Sequence, residues 1–447
     1  MISAANKYAN QRLAVLGLGR SGVSAARLAL RLGAAVTVLD SGMSDALAMS
    51  AAELRGDGIE CVLGEAALTF AERFDLAVLS PGIDPAWPIA VNLTSRGVRA
   101  IGEVEFAVQN TALPYVAITG TNGKTTTTEL ISALLNGGGV KSVACGNIGL
   151  ALSQVVLDAM PADVLTVEVS SFQLELIETF RPRVAVWMNF APDHLDRHPT
   201  LEAYRAAKLR VFENQTADDI AVLNGAEEYP ALAAQRVTFS AYQDGGDFSY
   251  REGGIFHRGE RVAELAQTNL RGLHNAENIM AAMATAHAMG VPFSAMQETL
   301  RSYQPPRHRC ELAGVVDGRE FINDSKATNI HAMESALRGM TSRVVLIAGG
   351  KDKHLDYAPL RPLIRRQTTH VFTIGEIGQA LADCWRDDAQ CRACASLEEA
   401  VLAAREAAQP GQTVLFAPGT SSFDMFTGYD HRGHVFTQLV QQLTTKP

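Results

Sequence analysis

The residues best suited to phosphate chemistry lie in the stretch TGTNGKTT, residues 119–126. Its two glycines permit a tight turn, Lys124 supplies a positive charge for phosphate oxygens, and Thr125 offers a hydroxyl to Mg²⁺. A standard phosphate-binding loop has the pattern G-x-x-x-x-G-K-[ST], which would require glycine where this chain has Ile118. The helix predicted to follow directs its N-terminus at the anion. The stretch therefore predicts a shortened phosphate-binding loop.

A second glycine turn, GLGRSG at residues 17–22, follows an apolar strand near the N-terminus, and Asp40 ends the next strand. This spacing matches the dinucleotide fingerprint, in which backbone N–H groups approach a pyrophosphate and a carboxylate accepts ribose hydroxyls. Any nucleoside diphosphate presents the same groups, and a plain strand–helix turn is the alternative. An NAD-dependent oxidoreductase would explain this loop but would leave TGTNGKTT without a role.

Acidic, histidine and lysine residues follow in the middle of the chain. Glu168 ends the apolar strand LTVEVSS, where a carboxylate beside a phosphate loop can accept Mg²⁺, or can simply be solvated. His194 and His198 share one loop, and their spacing also allows a zinc hypothesis. Lys208 lies on the helix that follows, where a lysine considered alone ordinarily faces solvent.

Asn275 and Asn278 are spaced i and i+3 on one helical face, where they could bind an adenine edge or cap the helix. The C-terminal third adds charged residues after glycine turns and strand ends: Arg309, Asp324, Lys326 and Lys353. Each lysine alone would be unremarkable, but the cations together indicate a site that receives several negative charges.

Alternating apolar strands and alanine-rich helices must position these residues. Strand-like runs recur throughout, and several are apolar on both faces, as buried parallel strands are. Between about 236 and 264 the turn glycines and alternation indicate a small antiparallel sheet. We predict three α/β domains: 1–102, 103–306 and 307–447.

Composition restricts the function classes. The 447 residues are 47% hydrophobic and 19% charged, which is ordinary for a soluble enzyme, and the net charge of −9 argues against nucleic-acid binding. No signal peptide and no apolar run long enough for a membrane span are recognisable. The six scattered cysteines, including the lone CRAC at 391–394, are expected to be free thiols. We therefore expect a cytoplasmic protein, as a monomer.

Six motifs occur in the order TGTNGKTT, EVSSFQLE, NFAPDHLDRH with YRAAKLRVF, GLHNAENIMAA, RHRCE and NDSKATN. This series resembles the Mur ligase family of peptidoglycan synthesis, over essentially the whole chain. The resemblance implies a Rossmann-like N-terminal domain that binds a UDP substrate and a central P-loop ATPase-like domain with a small antiparallel sheet. It also implies a Rossmann-like C-terminal domain that binds the amino acid.

The resemblance also implies roles for individual residues. The UDP portion would be held by Arg20, Ser21, Asp40, Ser41 and Ser80, and the muramoyl–alanine end by Asn147, Ser170 and Gln173. ATP would be held by Gly120, Thr121, Asn122, Gly123, Lys124, Thr125, Thr126, Asn278, Arg309, Asp324 and Lys326. Glutamate would be held by Thr328, Lys353, Ser422 and Tyr429. Two Mg²⁺ ions would be held by Thr125, Glu168, His194 and Lys208. Lys208 would carry CO₂ as a carbamate, and catalysis would depend on Lys124, His194 and Lys208.

The implied activity is an ATP-dependent amide ligation that adds D-glutamate to UDP-N-acetylmuramoyl-L-alanine through an acyl phosphate, giving ADP and phosphate. Ligation of L-glutamate and a folylpolyglutamate-synthase-like reaction are the neighbouring alternatives. A nucleotide-binding regulator without catalysis is a more distant one, since it would not need Glu168, His194 and Lys208 together.

Overall fold

The computed structural model describes residues 6–194, 197–305, 307–340 and 342–445. They divide into two compact units. The first contains the described residues of Met1–Phe190, His194–Ser249 and Ile279–Thr299, and the second contains those of Ala191–Asp193, Tyr250–Asn278 and Leu300–Pro447. The predicted division into three domains is a different partition and stays a prediction.

The N-terminal elements form a five-stranded sheet. In chain order they are β1 (Arg12–Leu16), α1 (Arg20–Arg31), β2 (Ala35–Asp40), α2 (Asp45–Gly56), β3 (Glu60–Leu63), α3 (Glu65–Leu68), β4 (Leu76–Leu79), α4 (Pro88–Thr94), β5 (Arg99–Gly102) and α5 (Glu103–Val108). The strand order is β3-β2-β1-β4-β5, and every pairing is parallel. The strands predicted from apolar runs in this part of the chain are confirmed.

The middle of the chain carries the predicted phosphate loop. Its elements are β6 (Tyr115–Thr119), α6 (Lys124–Gly137), β7 (Ser142–Gly146), α7 (Leu152–Leu157), β8 (Val164–Glu168), α8 (Ser171–Leu174), β9 (Val184–Trp187), α9 (Leu201–Leu209), β10 (Ile220–Asn224), β11 (Gln235–Ser240), β12 (Phe248–Arg251), β13 (Gly254–His257), β14 (Glu260–Glu264), α10 (Leu273–Ala288) and α11 (Phe293–Ser302). Strands β12-β11-β10-β9-β6-β8-β7 pair in this order, in parallel within the first unit. The expected antiparallel pairing occurs between β13 and β14 in the second unit, whereas β11 and β12, in the same predicted stretch, pair in parallel.

The C-terminal elements form a six-stranded sheet. They are β15 (Glu311–Val316), β16 (Arg319–Asn323), α12 (Ile330–Arg338), β17 (Val344–Gly349), α13 (Arg361–Gln367), β18 (Thr368–Ile374), α14 (Gly378–Trp385), β19 (Gln390–Ala393), α15 (Leu397–Ala407), β20 (Thr413–Phe416) and α16 (Tyr429–Thr445). The order is β15-β16-β20-β17-β18-β19, with only the β15–β16 pairing antiparallel among those described. No described helix is long and apolar enough to cross a membrane.

Helices cover both faces of the N-terminal and C-terminal sheets, which is why their central strands are apolar throughout. In β1, Leu13 and Val15 belong to one hydrophobic cluster, whereas Ala14 and Leu16 belong to another. Strand β17 alternates in the same way between two clusters. Parallel sheets of this kind place the loops that follow their strands at one edge, where ligands bind. All six cysteines are free, as predicted.

Candidate active site

The loop between β6 and α6 has the backbone geometry of an anion-binding turn. Gly123 adopts φ +82°, a left-handed conformation that favours glycine, and immediately precedes the helix. A Cβ on Gly120 would lie 2.8 Å from the Cβ of Met188 and 3.1 Å from the backbone N of Asn189. The loop therefore packs against the segment that follows β9, so Gly120 is required by its surroundings and Gly123 by its backbone conformation.

Asn189 holds this loop in shape and was not singled out by the sequence analysis. Its backbone O accepts from Thr121 N at 2.9 Å, its Oδ1 accepts from Asn122 N at 2.9 Å, and its Nδ2 donates to Asn122 O at 3.1 Å. The available signal was its place two residues after an apolar strand, in the motif that leads to His194.

Two lysines converge on one backbone oxygen of the loop. Lys124 Nζ donates to Gly120 O and to Thr121 O, both at 2.9 Å, and Lys208 Nζ donates to Gly120 O at 2.8 Å. Lys208 is 1% exposed, so the expectation that it is solvated when considered alone is wrong. Helix α9 faces the phosphate loop, and the pairing brings two positive charges to the place where a phosphate would lie.

Tyr204 is the side chain around which these groups gather. It is buried, and its ring centroid lies 4.6 Å from Lys208 Nζ and 5.9 Å from the His194 ring centroid. Its hydroxyl is 3.4 Å from Thr121 Oγ1. Tyr204 and Lys208 are four residues apart on α9, so one helical face presents both. Sequence reasoning quoted this motif without assigning Tyr204 a role.

Glu168 carries unused acceptor capacity at the end of β8. It is 2% exposed, its Oε1 accepts from Asn147 Nδ2 at 2.8 Å, and its Oε2 accepts no hydrogen bond from the described residues. A buried carboxylate oxygen without a donor is costly unless a cation or water satisfies it. This oxygen fits the predicted Mg²⁺ site.

The two histidines of the predicted loop differ in their surroundings. His198 is 4% exposed, and its Nε2 is 2.9 Å from Ser171 Oγ, so a structural contact occupies that nitrogen. His194 adopts φ +54° and packs edge-on against the Phe172 ring at 5.0 Å. Within the described ranges, no group of three or more His, Cys, Asp and Glu side chains could hold a metal ion. The zinc hypothesis thus gains no support.

A cavity of about 400 Å³ opens beside the GLGRSG turn in the first unit. It is lined by six of the eight residues predicted for the UDP substrate, namely Arg20, Ser21, Asp40, Ser80, Asn147 and Gln173. Ser41 and Ser170 are not among the lining residues. Ser170 instead forms a capping box with Gln173, in which Gln173 N donates to Ser170 Oγ at 3.3 Å and Ser170 N donates to Gln173 Oε1 at 2.9 Å. Its contribution is to orient Gln173.

Asp40 holds the walls of this cavity together. Its Oδ2 accepts from Leu18 N and its Oδ1 accepts from Gly42 N, each at 2.8 Å. The carboxylate expected to accept ribose hydroxyls therefore already orders two backbone segments. Gly22 permits close packing within the same turn, because a Cβ at this position would lie 1.8 Å from Gly17 O.

In the second unit, Asp324 follows β16 and lies beside the half-buried Cys310. Asp324 Oδ1 accepts from Cys310 N at 3.2 Å. Burial raises the pKa of Asp324 to about 6, against the opposing charge of Arg309. Burial likewise raises the pKa of the Cys310 thiol. Asn278, also in this unit, donates to Asn275 Oδ1 at 2.9 Å, so the two predicted amides contact each other.

The residues of the second unit that are predicted to bind the substrate glutamate differ in their surroundings. Lys353 Nζ is 3.5 Å from Asp193 Oδ1, so a carboxylate of the chain already lies beside it. The Tyr429 ring lies 3.6 Å from Lys326 Nζ. Ser422 is 2% exposed and begins a turn in which its O accepts from Phe426 N at 2.9 Å, while Thr328 is half-buried.

Arg432 forms hydrogen bonds to two loops of the second unit that carry predicted site residues. It was not among the residues predicted from the sequence. It is fully buried, its Nε donates to Ser325 Oγ at 3.1 Å, and its Nη2 donates to Ser325 O at 2.8 Å and Thr420 O at 3.1 Å. Burial lowers its pKa to about 10. Its guanidinium fixes the loop that bears Lys326 relative to the loop that bears Ser422.

Family models match most of the chain. The Mur ligase MurD-like N-terminal domain matches residues 11–102, the Mur ligase middle domain matches 118–286, and the Mur ligase glutamate ligase domain matches 308–420.

Curated relatives match over nearly the full length. The protein named UDP-N-acetylmuramoylalanine–D-glutamate ligase in Trichlorobacter lovleyi is 40% identical to this chain over 446 residues, which cover 97% of this chain and 99% of that protein. The protein of that name in Acidobacterium capsulatum is 39% identical over 442 residues, or 96% of each chain.

Solved structures of low sequence identity share the fold. MurF from Acinetobacter baumannii gives a TM-score of 0.62 at 18% identity, covering 93% of this chain and 91% of that one. UDP-N-acetylmuramate–alanine ligase from Thermotoga maritima gives 0.61 at 16% identity, covering 97% and 100%. A MurF ligase from the same organism, solved in complex with ADP, gives 0.59 at 17% identity, covering 98% and 96%. The predicted α/β fold is thereby confirmed.

Proposed function

The chain belongs to the Mur ligase family, and we propose that it uses ATP to join D-glutamate to UDP-N-acetylmuramoyl-L-alanine. Relatives of 39–40% identity that carry this name support the choice within the family. The three family-model matches also support our proposed domain boundaries of 1–102, 103–306 and 307–447. Six free cysteines suit a reducing compartment, in keeping with a cytoplasmic enzyme.

One observation carries the proposal. Asn147 lines the cavity of the UDP substrate and also donates to Glu168, whose second oxygen is available beside the phosphate loop. A substrate whose nucleotide lies against the GLGRSG turn would thus extend its carboxyl end past Asn147 towards Lys124. The activated group is then a carboxylate, and the phosphate loop serves ligation.

The reaction first needs an anionic carboxylate to approach an anionic triphosphate, so charge neutralisation is the main requirement. A substrate carboxylate oxygen attacks the γ-phosphorus, the bond to the bridging oxygen breaks, and ADP leaves. Lys124 supplies positive charge where that bond breaks. The neutral amine of glutamate then attacks the acyl carbon, phosphate leaves, and the amine releases a proton.

The amino-acid end would be held by residues of the second unit. Lys353, Ser422, Thr328 and Tyr429 are the proposed contacts for glutamate, and Arg432 keeps the loop of Ser422 in place. Asn278, Arg309, Asp324 and Lys326 are the proposed contacts of this unit for ATP. A carboxylate gripped in this way would orient the attacking amine.

Magnesium and carbon dioxide complete the proposal. Thr125 and Glu168 would hold one Mg²⁺ ion, and His194 with a carbamate on Lys208 would hold a second. These ions would neutralise phosphate charge. Lys208 fits the carbamate because its buried ammonium shares Gly120 O with that of Lys124, and like charges so close repel. Addition of CO₂ to the neutral amine, with loss of a proton, would turn this repulsion into attraction.

Phosphate release from ATP, measured with UDP-N-acetylmuramoyl-L-alanine and a panel of D- and L-amino acids, tests the function. We expect release that requires both the nucleotide sugar and D-glutamate. Release with L-glutamate alone would overturn the stereochemistry. Release with a folate acceptor would favour a folylpolyglutamate synthase, and hydride transfer without phosphate release would refute ligation.

A further inference from the structure

Arg197 is a largely buried cation that the reaction scheme above does not use. Its side chain is 13% exposed, its Nε lies 3.2 Å from Asp84 Oδ2, and its Nη2 donates to Glu175 Oε2 at 2.6 Å. The guanidinium also lies 5.2 Å from the centre of the Phe172 ring. Planar guanidinium groups hold two carboxylates in a fixed geometry that a lysine cannot reproduce.

Both carboxylates lie close in sequence to residues that line the nucleotide-sugar cavity. Asp84 comes immediately after Ile83, the last residue of the lining stretch 80–83, and Glu175 lies two residues after Gln173. Neither carboxylate lines the cavity itself. Asp84 Oδ1 also accepts from Ala86 N at 2.7 Å, which fixes its carboxylate relative to the backbone. A change in either lining segment would therefore reach Arg197 through one ion pair.

The backbone of Arg197 contacts His194, the predicted catalytic histidine. Arg197 N donates to His194 O at 3.1 Å, and His198 N donates to the same oxygen at 2.9 Å. His198 Nδ1 lies 3.5 Å from Glu175 Oε1, so the same carboxylate contacts both residues whose backbone N–H groups donate to His194 O. The backbone of His194 is thus tied to the residue that the two carboxylates hold.

We propose that Arg197 is a positioning residue that couples occupancy of the nucleotide-sugar cavity to the placement of His194. The inference rests on the proposed function for its chemistry, but the coupling itself concerns only contacts within the first unit. Binding of the UDP substrate against residues 80–83 stabilises the position of Asp84, Asp84 holds Arg197, and Arg197 holds the backbone of His194. His194 is then held more firmly when the acceptor substrate is bound.

Asp84→Asn tests the coupling, with Glu178→Gln as the matched control. Glu178 forms another ion pair of the first unit, in which Arg99 Nε donates to its Oε1 at 3.0 Å, but it does not contact Arg197. In the wild type and the control, UDP-N-acetylmuramoyl-L-alanine should slow hydrogen exchange in the peptide that carries His194 and Arg197. In Asp84→Asn that protection should be lost, while the dissociation constant of the nucleotide sugar changes by less than about twofold.

Turnover gives the second readout. Asp84→Asn should lower kcat about tenfold with little change in the KM for the nucleotide sugar. In an Arg197→Gln background, Asp84→Asn should cause no further loss, because the link is already broken. Arg197→Lys should retain more activity than Arg197→Gln. These readouts are compared at equal thermal stability of the variants.

Persistence of the exchange protection in Asp84→Asn, or additive losses in the double variant, would overturn the coupling. Failure of the proposed function looks different: the wild type itself would show no phosphate release dependent on D-glutamate. In that case hydrogen exchange with the nucleotide sugar alone still decides whether cavity occupancy reaches the His194 turn.

Discussion

The two glycine turns of the first unit look alike in sequence and differ in what surrounds them. The turn at 17–22 contains no lysine. Both carboxylate oxygens of Asp40, which contacts this turn, accept hydrogen bonds from backbone N–H groups. The turn at 120–123 has two lysines on one carbonyl oxygen and lies in the same unit as Glu168, whose Oε2 accepts no hydrogen bond from the described residues.

This difference separates binding from chemistry. Around the first turn the polar groups named above satisfy one another, which makes a stable surface for a ligand that is held and not changed. Around the second turn, two lysine ammonium groups meet at one carbonyl oxygen, and a triphosphate with its cations would interact with both. Four substitutions test this contrast, with the largest expected effect first.

Lys124→Met should lower kcat for phosphate release about 10³-fold, since it removes the charge that stabilises the transferred phosphoryl group. Calorimetry should show the UDP substrate binding as in the wild type, because Lys124 does not line that cavity. Lys141→Met is the control, as Lys141 is exposed on the same unit. An unchanged kcat for Lys124→Met would remove the distinction between the two turns.

Lys208→Ala should lower kcat about 10²-fold, because the proposed carbamate ligand is lost. Acetate should partly restore activity by supplying a carboxylate at the vacated position. Lys208→Arg retains the cation but cannot carry a carbamate, so it should be as impaired as Lys208→Ala. Full activity of Lys208→Arg, together with no effect of acetate, would show that a simple positive charge suffices there.

Gly22→Ala should raise the KM for the nucleotide sugar about tenfold and destabilise the first unit by about 1–3 kcal/mol, because its Cβ would meet Gly17 O. That Cβ would lie 1.8 Å from the backbone oxygen, which cannot move without reshaping the turn. Gly19→Ala is the stability control, since nothing lies within 4 Å of a Cβ there. Equal melting temperatures for the two variants would contradict this prediction.

Asp40→Asn should raise the KM for the nucleotide sugar about fivefold and leave kcat unchanged, because one of two backbone hydrogen bonds loses its acceptor. Steady-state kinetics with saturating ATP and D-glutamate measures both constants. Asp75→Asn is the matched control: Asp75 Oδ2 accepts from Arg12 N at 2.8 Å at the start of the same sheet, and Asp75 does not line the cavity. A fall in kcat for Asp40→Asn would mean that the first turn also contributes to chemistry.

Local patterns predicted the fold and much of the site. Strands β1 to β4 of the first sheet and both glycine turns follow from apolar runs and residue spacing, and β8 ends at Glu168 as expected. Strands β5, β15 and β19 were not predicted: β19 is the four-residue stretch QCRA, of which no residue is fully buried. A strand that short and mixed has no periodicity to read.

Sequence alone determined which residues could bind phosphate, because glycine conformations, a lysine after the turn and a helix N-terminus are properties of adjacent residues. Only the tertiary structure decided that Lys208 Nζ donates to Gly120 O, 88 residues away in the sequence. It also decided that Tyr204 packs beside Lys208 and that Arg197 pairs with two carboxylates. The physical reason is that burial depends on what packs against a helix face. The sequence pattern around a lysine or arginine on that face is the same whether water or a phosphate loop lies opposite.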